Sequence, residues 1–459
     1  MNILVLNGSP KGRASVTMQY MEFYEKIFPQ HRFTVIDAAQ QVKKFETNRE
    51  AFQEVIYQVK ESDLLIWAFP LYFMLVCSQY KRFIELIFEC GQTEAFTGKH
   101  AAAFSTSIHF FDNTAHEYIR SICEDLGMLY IDGTPAHMQD LMNKETRKSL
   151  QSVFKQWERY VSSGFSAPVM NKPISTVKEN TLSISPEAEP LQTDARIAIV
   201  ADLKEDAENL RQMVQYAKSR FPSAEVIDIR AMKFGPCNGC LKCGPDNICN
   251  YEGTKDEFIP MYKSTVLSAD IVLFAGKMHD RYLSSIWQRY LERTFVRTHQ
   301  PILSGKQVGY IISGPLSQNA NTREILTAYA ENMGANFSGI ATDESGDSDL
   351  IRSQISALTE DLAEFAEKKT VKPKSFLSYG GIKVFRDDIY GNLGLVFHAD
   401  HQYYKKHKIY DFPQRKNSIW LLRLISPILR IPFIKHNMRT QMTSFMLGGY
   451  KKILANLDK

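Results

Sequence analysis

Short apolar runs alternate along most of the chain with longer segments whose apolar positions recur every three or four residues. In the first 160 residues the runs predict strands at Asn2–Leu6, Phe33–Asp37, Asp63–Ala68, His100–Ser105 and a weaker Leu129–Asp132. Between them, amphipathic stretches predict helices near Ser15–Phe28, Arg49–Glu61, Gln79–Cys90, Ala115–Leu126 and Lys144–Tyr160. Such β-α alternation suits a parallel sheet covered by helices on both faces. Residues 163–194 lose the periodicity and collect Ser, Pro and Glu (SPEAEP), as a linker does. The rhythm restarts at Ala195, with strands at Ile197–Ala201, Glu225–Ile229, Ile271–Ala275, Val308–Ser313 and Ala335–Ile340 and a last helix near Asp349–Lys368. KESDLLIWAFP aligns with LSADIVLFAGK, and KHAAAFSTS with KQVGYIISG. The expectation is an α/β chain of two tandem doubly wound parallel sheets, each in strand order 2-1-3-4-5. They occupy residues 1–162 and 195–370, and a mainly helical extension, 371–459, fits neither copy.

Composition alters this picture in three places. The formal charge of +4 is unevenly spread, because residues 371–459 hold 16 Lys+Arg against 5 Asp+Glu and leave a mildly acidic body upstream. The opening MNILVLNGSP has no basic n-region, no h-region of usable length and no small-residue cleavage site, which predicts a cytoplasmic protein. The longest apolar run, Ile419 to Ile434, is too short for a membrane span and is broken by Arg423, Pro427, Arg430 and Pro432. Of seven cysteines, four fall within thirteen residues. In a reducing compartment such a group reads as a metal or redox site before a disulfide framework.

Directly after the first strand, Asn7-Gly-Ser-Pro-Lys-Gly-Arg-Ala-Ser15-Val-Thr17 runs into a helix. Convergent amides, small residues and the positive end of a helix make such a turn an anion site. Gly8 and Gly12 supply the permissive backbone, Ser9, Ser15 and Thr17 hydroxyls, and Lys11 or Arg13 charge. The competing reading is a strand-to-helix turn with a Ser cap, which any α/β protein needs. Two further loops leave the strand ends where ligands of an open α/β sheet sit. Phe69-Pro70-Leu71-Tyr72-Phe73 is apolar and aromatic, suited to a planar ring or to the core, and Ser105-Thr106-Ser107 offers hydroxyls to a polar ring edge.

GSPKGRASVT, WAFPLYFMLVCSQYKRFIE and FSTSIHFFDNTA together resemble the flavodoxin-like family of NADPH-dependent FMN reductases and iron–sulfur flavoproteins. Its members commonly read GSPR(K)xxxNT, TPxYxxxxxxxLKxFxDR and a short Ser/Gly loop. The resemblance implies that Ser9, Lys11, Ser15, Val16 and Thr17 hold the FMN phosphate. It places Pro70, Leu71, Tyr72 and Phe73 on the isoalloxazine, with Ser105, Thr106 and Ser107 on its other side. Glu85 replaces the family's usual Asp, and Cys77 stands where Gly, Ser or Ala is common.

In the second copy, Cys237-x2-Cys240-x2-Cys243-x5-Cys249 follows the second strand. One loop with this spacing can wrap a [4Fe–4S] cube, whereas structural zinc more often takes two Cys-x2-Cys knuckles far apart. Zinc, or free thiols and no metal, are the alternatives. The resemblance adds that iron–sulfur flavoproteins carry a compact cysteine motif at this point of the fold.

The copies complement each other. The second copy's first loop, Asp202 to Glu208, lacks the Gly-Ser-Pro turn and holds four acidic residues, so it is expected to bind FMN poorly or not at all. Its Lys277-Met278-His279-Asp280-Arg281 is too charged for a ring-binding loop. A fused pair with the cysteines of one copy facing the flavin of the other is one reading; decay of a duplicated gene is the other. Neither His109 nor His279 is assigned a proton-transfer role. The expected protein is an FMN-dependent oxidoreductase relaying electrons between FMN and a [4Fe–4S] centre. Alternatives are a NAD(P)H-dependent FMN, quinone or nitro-compound reductase without the cluster, and a zinc-stabilised binding protein on a vestigial flavin fold. Its partners are a small-molecule or protein electron donor and acceptor and a second copy of itself. An anionic membrane surface could meet residues 372–459, though internal packing of that segment is the commoner outcome. No nucleic acid is expected.

Overall fold

A computed structural model describes residues 1–175, 177–411, 431, 433 and 434. The chain begins with β1 (Asn2–Asn7), α1 (Val16–Ile27), β2 (Arg32–Ile36), α2 (Val42–Thr47), α3 (Arg49–Lys60), β3 (Leu64–Pro70) and α4 (Ser78–Glu89). β4 (His100–Ser107), α5 (Asp112–Asp125), β5 (Leu129–His137) and α6 (Lys144–Ser163) complete the first copy. The strands are parallel in the order β2-β1-β3-β4-β5, with Ile3 beside Leu64 and Leu64 beside His100.

The second copy repeats the plan with β6 (Ile197–Ala201), α7 (Glu208–Arg220), β7 (Glu225–Asp228), α8 (Phe258–Met261), β8 (Ile271–Lys277) and α9 (Ser285–Arg293). It closes with β9 (Gln307–Ser313), α10 (Ala320–Asn332), β10 (Asn336–Thr342) and α11 (Ser348–Glu367). Its parallel order, β7-β6-β8-β9-β10, is the same winding. The expected two sheets and their topology are therefore present. Strand ends differ by a residue or two except at β5, which runs on to His137 through a Gly-Thr-Pro stretch of low strand propensity. Pairing with β4 carries it there. The short α2 was not expected from the pattern.

Sheets buried on both faces need two apolar layers each, and three clusters supply them. One lies under α1 and α6, another under α7 and α11. The third is shared: side chains from α3, α4 and α5 interleave with those of α8, α9 and α10 in a single core between the sheets. Among its described residues the joining segment 164–196 has no helix or strand, yet Leu182 and Ile184 are buried in the second copy's outer core.

Beyond α11, α12 (Phe376–Tyr390) packs on α10, with Gly381 against Asn332 and Phe110. α13 (His398–Lys406) follows, so the described part of the extension is helical, as expected. Residues Met1–Tyr403 form one compact unit and Tyr404–Lys459 another. In the latter, Tyr404 meets Tyr410 edge-on at 5.7 Å. The apolar run Ile419 to Ile434 lies outside the described residues except for Ile431, Phe433 and Ile434. Among the described residues, no helix is long and apolar enough to cross a membrane.

Candidate functional site

The turn after β1 is built by its own short-range hydrogen bonds. Ser9 N donates to Asn7 Oδ1 (3.0 Å), Lys11 N to Ser9 Oγ (3.2 Å) and Gly12 N to Ser9 O (3.0 Å). Gly12 sits at φ 57°, where a side chain is disfavoured. Ser15 caps α1 by accepting from Met18 N at 3.3 Å. The turn opens into a cavity of about 300 Å³ at the carboxyl ends of the first sheet's strands. It is lined by Ser9, Lys11, Ser15 and Val16 of the turn and the start of α1, by Pro70, Leu71, Tyr72 and Phe73 after β3, and by Thr106 and Ser107 at the end of β4. Of the sequence-predicted residues, Thr17 and Ser105 stand behind the wall. The Thr17 hydroxyl is 2.7 Å from that of Thr106, and Ser105 Oγ is 2.7 Å from His116 Nε2. They hold the wall rather than form it. Burial pushes His116 down to about 4, which leaves its ring neutral.

The opposite wall comes from the second copy: Cys237, Gly239, Leu241, Glu292 and Phe295. Gly239 (φ 60°) lies so close that a Cβ there would meet Tyr72 Oη at 2.0 Å and Lys11 Cε at 3.3 Å. Sequence reasoning placed the cysteines but missed Glu292 and Phe295. A Ser that opens a helix with a Glu two turns later occurs in both copies, SQYKRFIE and SIWQRYLE, and was the available signal.

All four cysteines line a second, smaller cavity of about 30 Å³ beside the first, and Cys237 and Glu292 border both. Arg293 organises this loop. It holds Asp256 with two bonds of 2.9 Å, donates to Gly235 O (2.7 Å), stacks 4.2 Å from the Tyr251 ring and reaches Cys249 Sγ at 4.0 Å. Burial first, then Glu292, pushes the Cys237 thiol up to about 12, and burial and Cys249 do the same for Cys243. A cation binding there must displace their protons. Glu292 is fully buried, which raises its carboxyl to about 7 against the opposing pull of Ser78, the Cys237 amide and Arg289.

The corresponding face of the second copy is filled. Asp202 is bound by Arg230 (2.7 Å) and Ser284, and Asp343 accepts from Ser313 Oγ and Gly314 N, each at 2.7 Å. At the start of α7, the counterpart of the first copy's Gly-Ser-Pro turn and α1 start, Asn209 N donates to the Glu179 carboxylate (3.2 Å), which also pairs with Lys277 (2.7 Å). A linker side chain thus occupies the helix N-terminus that a phosphate would need. The charges of the Lys277–Arg281 loop are likewise consumed: Asp280 by Lys81 (2.9 Å), Arg281 by Asp125 (2.5 Å), and His279 lies 3.5 Å from Glu89. His109 pairs with Asp112 at 2.7 Å, and neither histidine lines the cavity.

The first copy's turn offers amides, hydroxyls and Lys11 to a phosphate, and the space between Leu71–Phe73 and the Cys237–Leu241 loop is mostly apolar. These residues fit a phosphorylated flavin. In the second cavity the donor set is four thiols, which fits a thiophilic metal centre.

No curated protein matches this chain. Among solved structures, it is similar to an FMN-dependent NADH-azoreductase from Bacillus anthracis in complex with FMN. Identity is 14%, over 36% of this chain and 99% of that one, with a TM-score of 0.27. A flavoenzyme NAD(P)H:(acceptor) oxidoreductase from Paracoccus denitrificans is 17% identical over 36% of this chain and 98% of its own (TM-score 0.30). An NAD(P)H:quinone oxidoreductase from Methanothermobacter marburgensis is 13% identical over 35% and 97% (TM-score 0.28). Residues 1–161 match a protein family with the flavodoxin-like fold, and that part of the chain is a flavodoxin-like domain.

Proposed function

We propose that this protein is an FMN-dependent oxidoreductase whose flavin is held by residues 1–162 and roofed by the cysteine loop of the second copy. One observation carries the reading: the anion turn, the aromatic loop and the cysteine loop face a single cavity. Ser9, Ser15 and the amides of the first turn of α1 would bind the phosphate, with Lys11 adding charge. Leu71, Tyr72 and Phe73 would orient the ring, while Gly239 and Leu241 keep water from it. FMN, when bound, supplies transfer of a hydride or of single electrons.

Two finer readings divide on the cysteines. One is a NAD(P)H-dependent reductase of a quinone or another small acceptor, in keeping with the names of the similar structures, with the thiols left free of metal. Adjacency of the two cavities favours exchange of electrons with a centre held by Cys237, Cys240, Cys243 and Cys249. Among the described residues, no three of these sulfurs lie within 4.8 Å of one another, whereas a single tetrahedral zinc with bonds near 2.3 Å needs about 3.8 Å between sulfurs.

Anaerobic purification with flavin, iron, sulfide and zinc analysis tests the proposal. Retention or uptake of FMN is expected; a protein that refuses it is not a flavoenzyme. Iron and sulfide in equal amounts support the relay, and metal-free protein reduced by NAD(P)H supports the reductase.

A further inference from the structure

The interface between the copies repeats itself in its own residues. Ser78 opens α4 and Ser285 opens α9, and two turns later each helix presents a glutamate, Glu85 and Glu292. Each glutamate accepts from the amide and hydroxyl of the other helix's serine. Ser78 N and Oγ reach Glu292 at 3.1 and 2.5 Å, and Ser285 N and Oγ reach Glu85 at 2.6 and 2.7 Å.

The likeness stops at the remaining partners. Glu85 is balanced by cations, Lys81 at 3.3 Å and Arg82 at 3.2 Å. Around Glu292, Gln288 stands at the place of Lys81 and donates to Tyr72 O (2.9 Å), and Arg289, at the place of Arg82, points to Phe234 O (3.5 Å). Among the described residues, no cation is ion-paired with Glu292. Its third donor is the main chain of the cysteine loop: Cys237 N at 3.0 Å. Gln79, beside Ser78, donates to the carbonyl of the same residue at 3.4 Å. Both backbone groups of Cys237 are therefore held at the seam where α4 meets α9, directly after the ring-facing loop of the first copy. The first copy offers no equivalent, because the interval after β2 folds back as α2.

We propose that Glu292 is a positioning residue that sets Cys237, and with it the cysteine loop, against the flavin cavity. The inference rests on the flavin reading of that cavity only for its purpose; the anchoring itself is testable without flavin or metal. The experiment uses full-length, reduced, metal-free protein and iodoacetamide, with labelling of Cys237 resolved by mass spectrometry against the exposed Cys240. Glu292→Ala should raise Cys237 labelling about tenfold, the factor that one lost hydrogen bond to a charged group allows. Glu292→Gln keeps an acceptor for Cys237 N but loses the charge that helps raise the thiol, so its labelling should rise clearly less than that of Glu292→Ala. Glu85→Ala weakens the same helix pair at its other end and should leave Cys237 protected. In FMN-loaded protein, the flavin absorption band should shift in Glu292→Ala and return in Glu292→Gln.

Unchanged labelling in a folded Glu292→Ala protein overturns the proposal. So does equal acceleration by Glu85→Ala, since that would mark general opening of the interface. Should Glu292→Ala not fold, Gln79→Ala removes only the carbonyl clamp. It should raise labelling by about two- to fivefold, and no rise overturns the proposal. FMN titration of the unaltered protein reports separately: failure there defeats the flavin reading, while the labelling still decides Glu292.

Discussion

Gly239 shows how a single backbone position ties the copies together. Its φ of 60° and its contacts with Tyr72 and Lys11 leave no room for a methyl group. Gly239→Ala should therefore lift the loop from the cavity. Flavin binding, followed by fluorescence titration, is expected to weaken by about 1–3 kcal/mol, the usual cost of a strained backbone position. Ser15 acts on the other side of the same cavity. As the cap of α1 it orients the amides that would face the phosphate, and Ser15→Ala should cost about 1 kcal/mol of stability together with flavin retention. Thermal melts with and without FMN separate the two losses, because ligand stabilisation is lost only if the site is. Ser15 was legible in the sequence, since a hydroxyl before a helix has a local meaning. Glu292 was not, because its partners Ser78 and Cys237 lie far away along the chain.

At the level of elements, the α4–α9 pair is the hinge of the design. Burial alone would raise the Glu85 carboxyl, but Lys81, His279, Ser285 and Arg82 outweigh it and bring it down to about 2, from an ordinary 4.5. A carboxyl whose folded value is depressed stabilises the protein above its unfolded value and loses that contribution as pH falls. Glu85 should thus support the interface fully above about pH 4.5, with the support draining away towards pH 2. Glu85→Gln should lower stability by about 3 kcal/mol at neutral pH and flatten the acid limb of the stability profile. Urea unfolding at several pH values measures both. Helix boundaries were readable from periodicity to within a few residues. The pairing of α4 with α9 was not, because an amphipathic face reveals that it is buried and not what buries it.

Across the whole molecule, the two sheets share one apolar core instead of each closing its own. Residues Met1–Tyr403 should therefore unfold in one cooperative transition, with calorimetric and van't Hoff enthalpies in agreement. Two resolved transitions would show that the copies are energetically separate. The linker contributes as well, with Leu182 and Ile184 in the second outer core and Glu179 at the start of α7. One FMN per chain is the expected stoichiometry. Glu179→Ala should not raise it, because Asp202 and Asp343 still fill the second face. Flavin-to-protein ratios from absorbance check both statements.

Local chemistry decided much of this protein by itself. Strand and helix alternation, the Gly-Ser-Pro turn after β1 and the tight cysteine spacing all depend on residues near one another in the chain, so their physics is written there. The closure of one cavity by both copies, the staple of Glu292 and the plugging of the second face by Glu179 belong to tertiary structure alone. Each needs side chains separated by dozens to hundreds of positions, and only the packing of the two sheets through a common core brings them into contact.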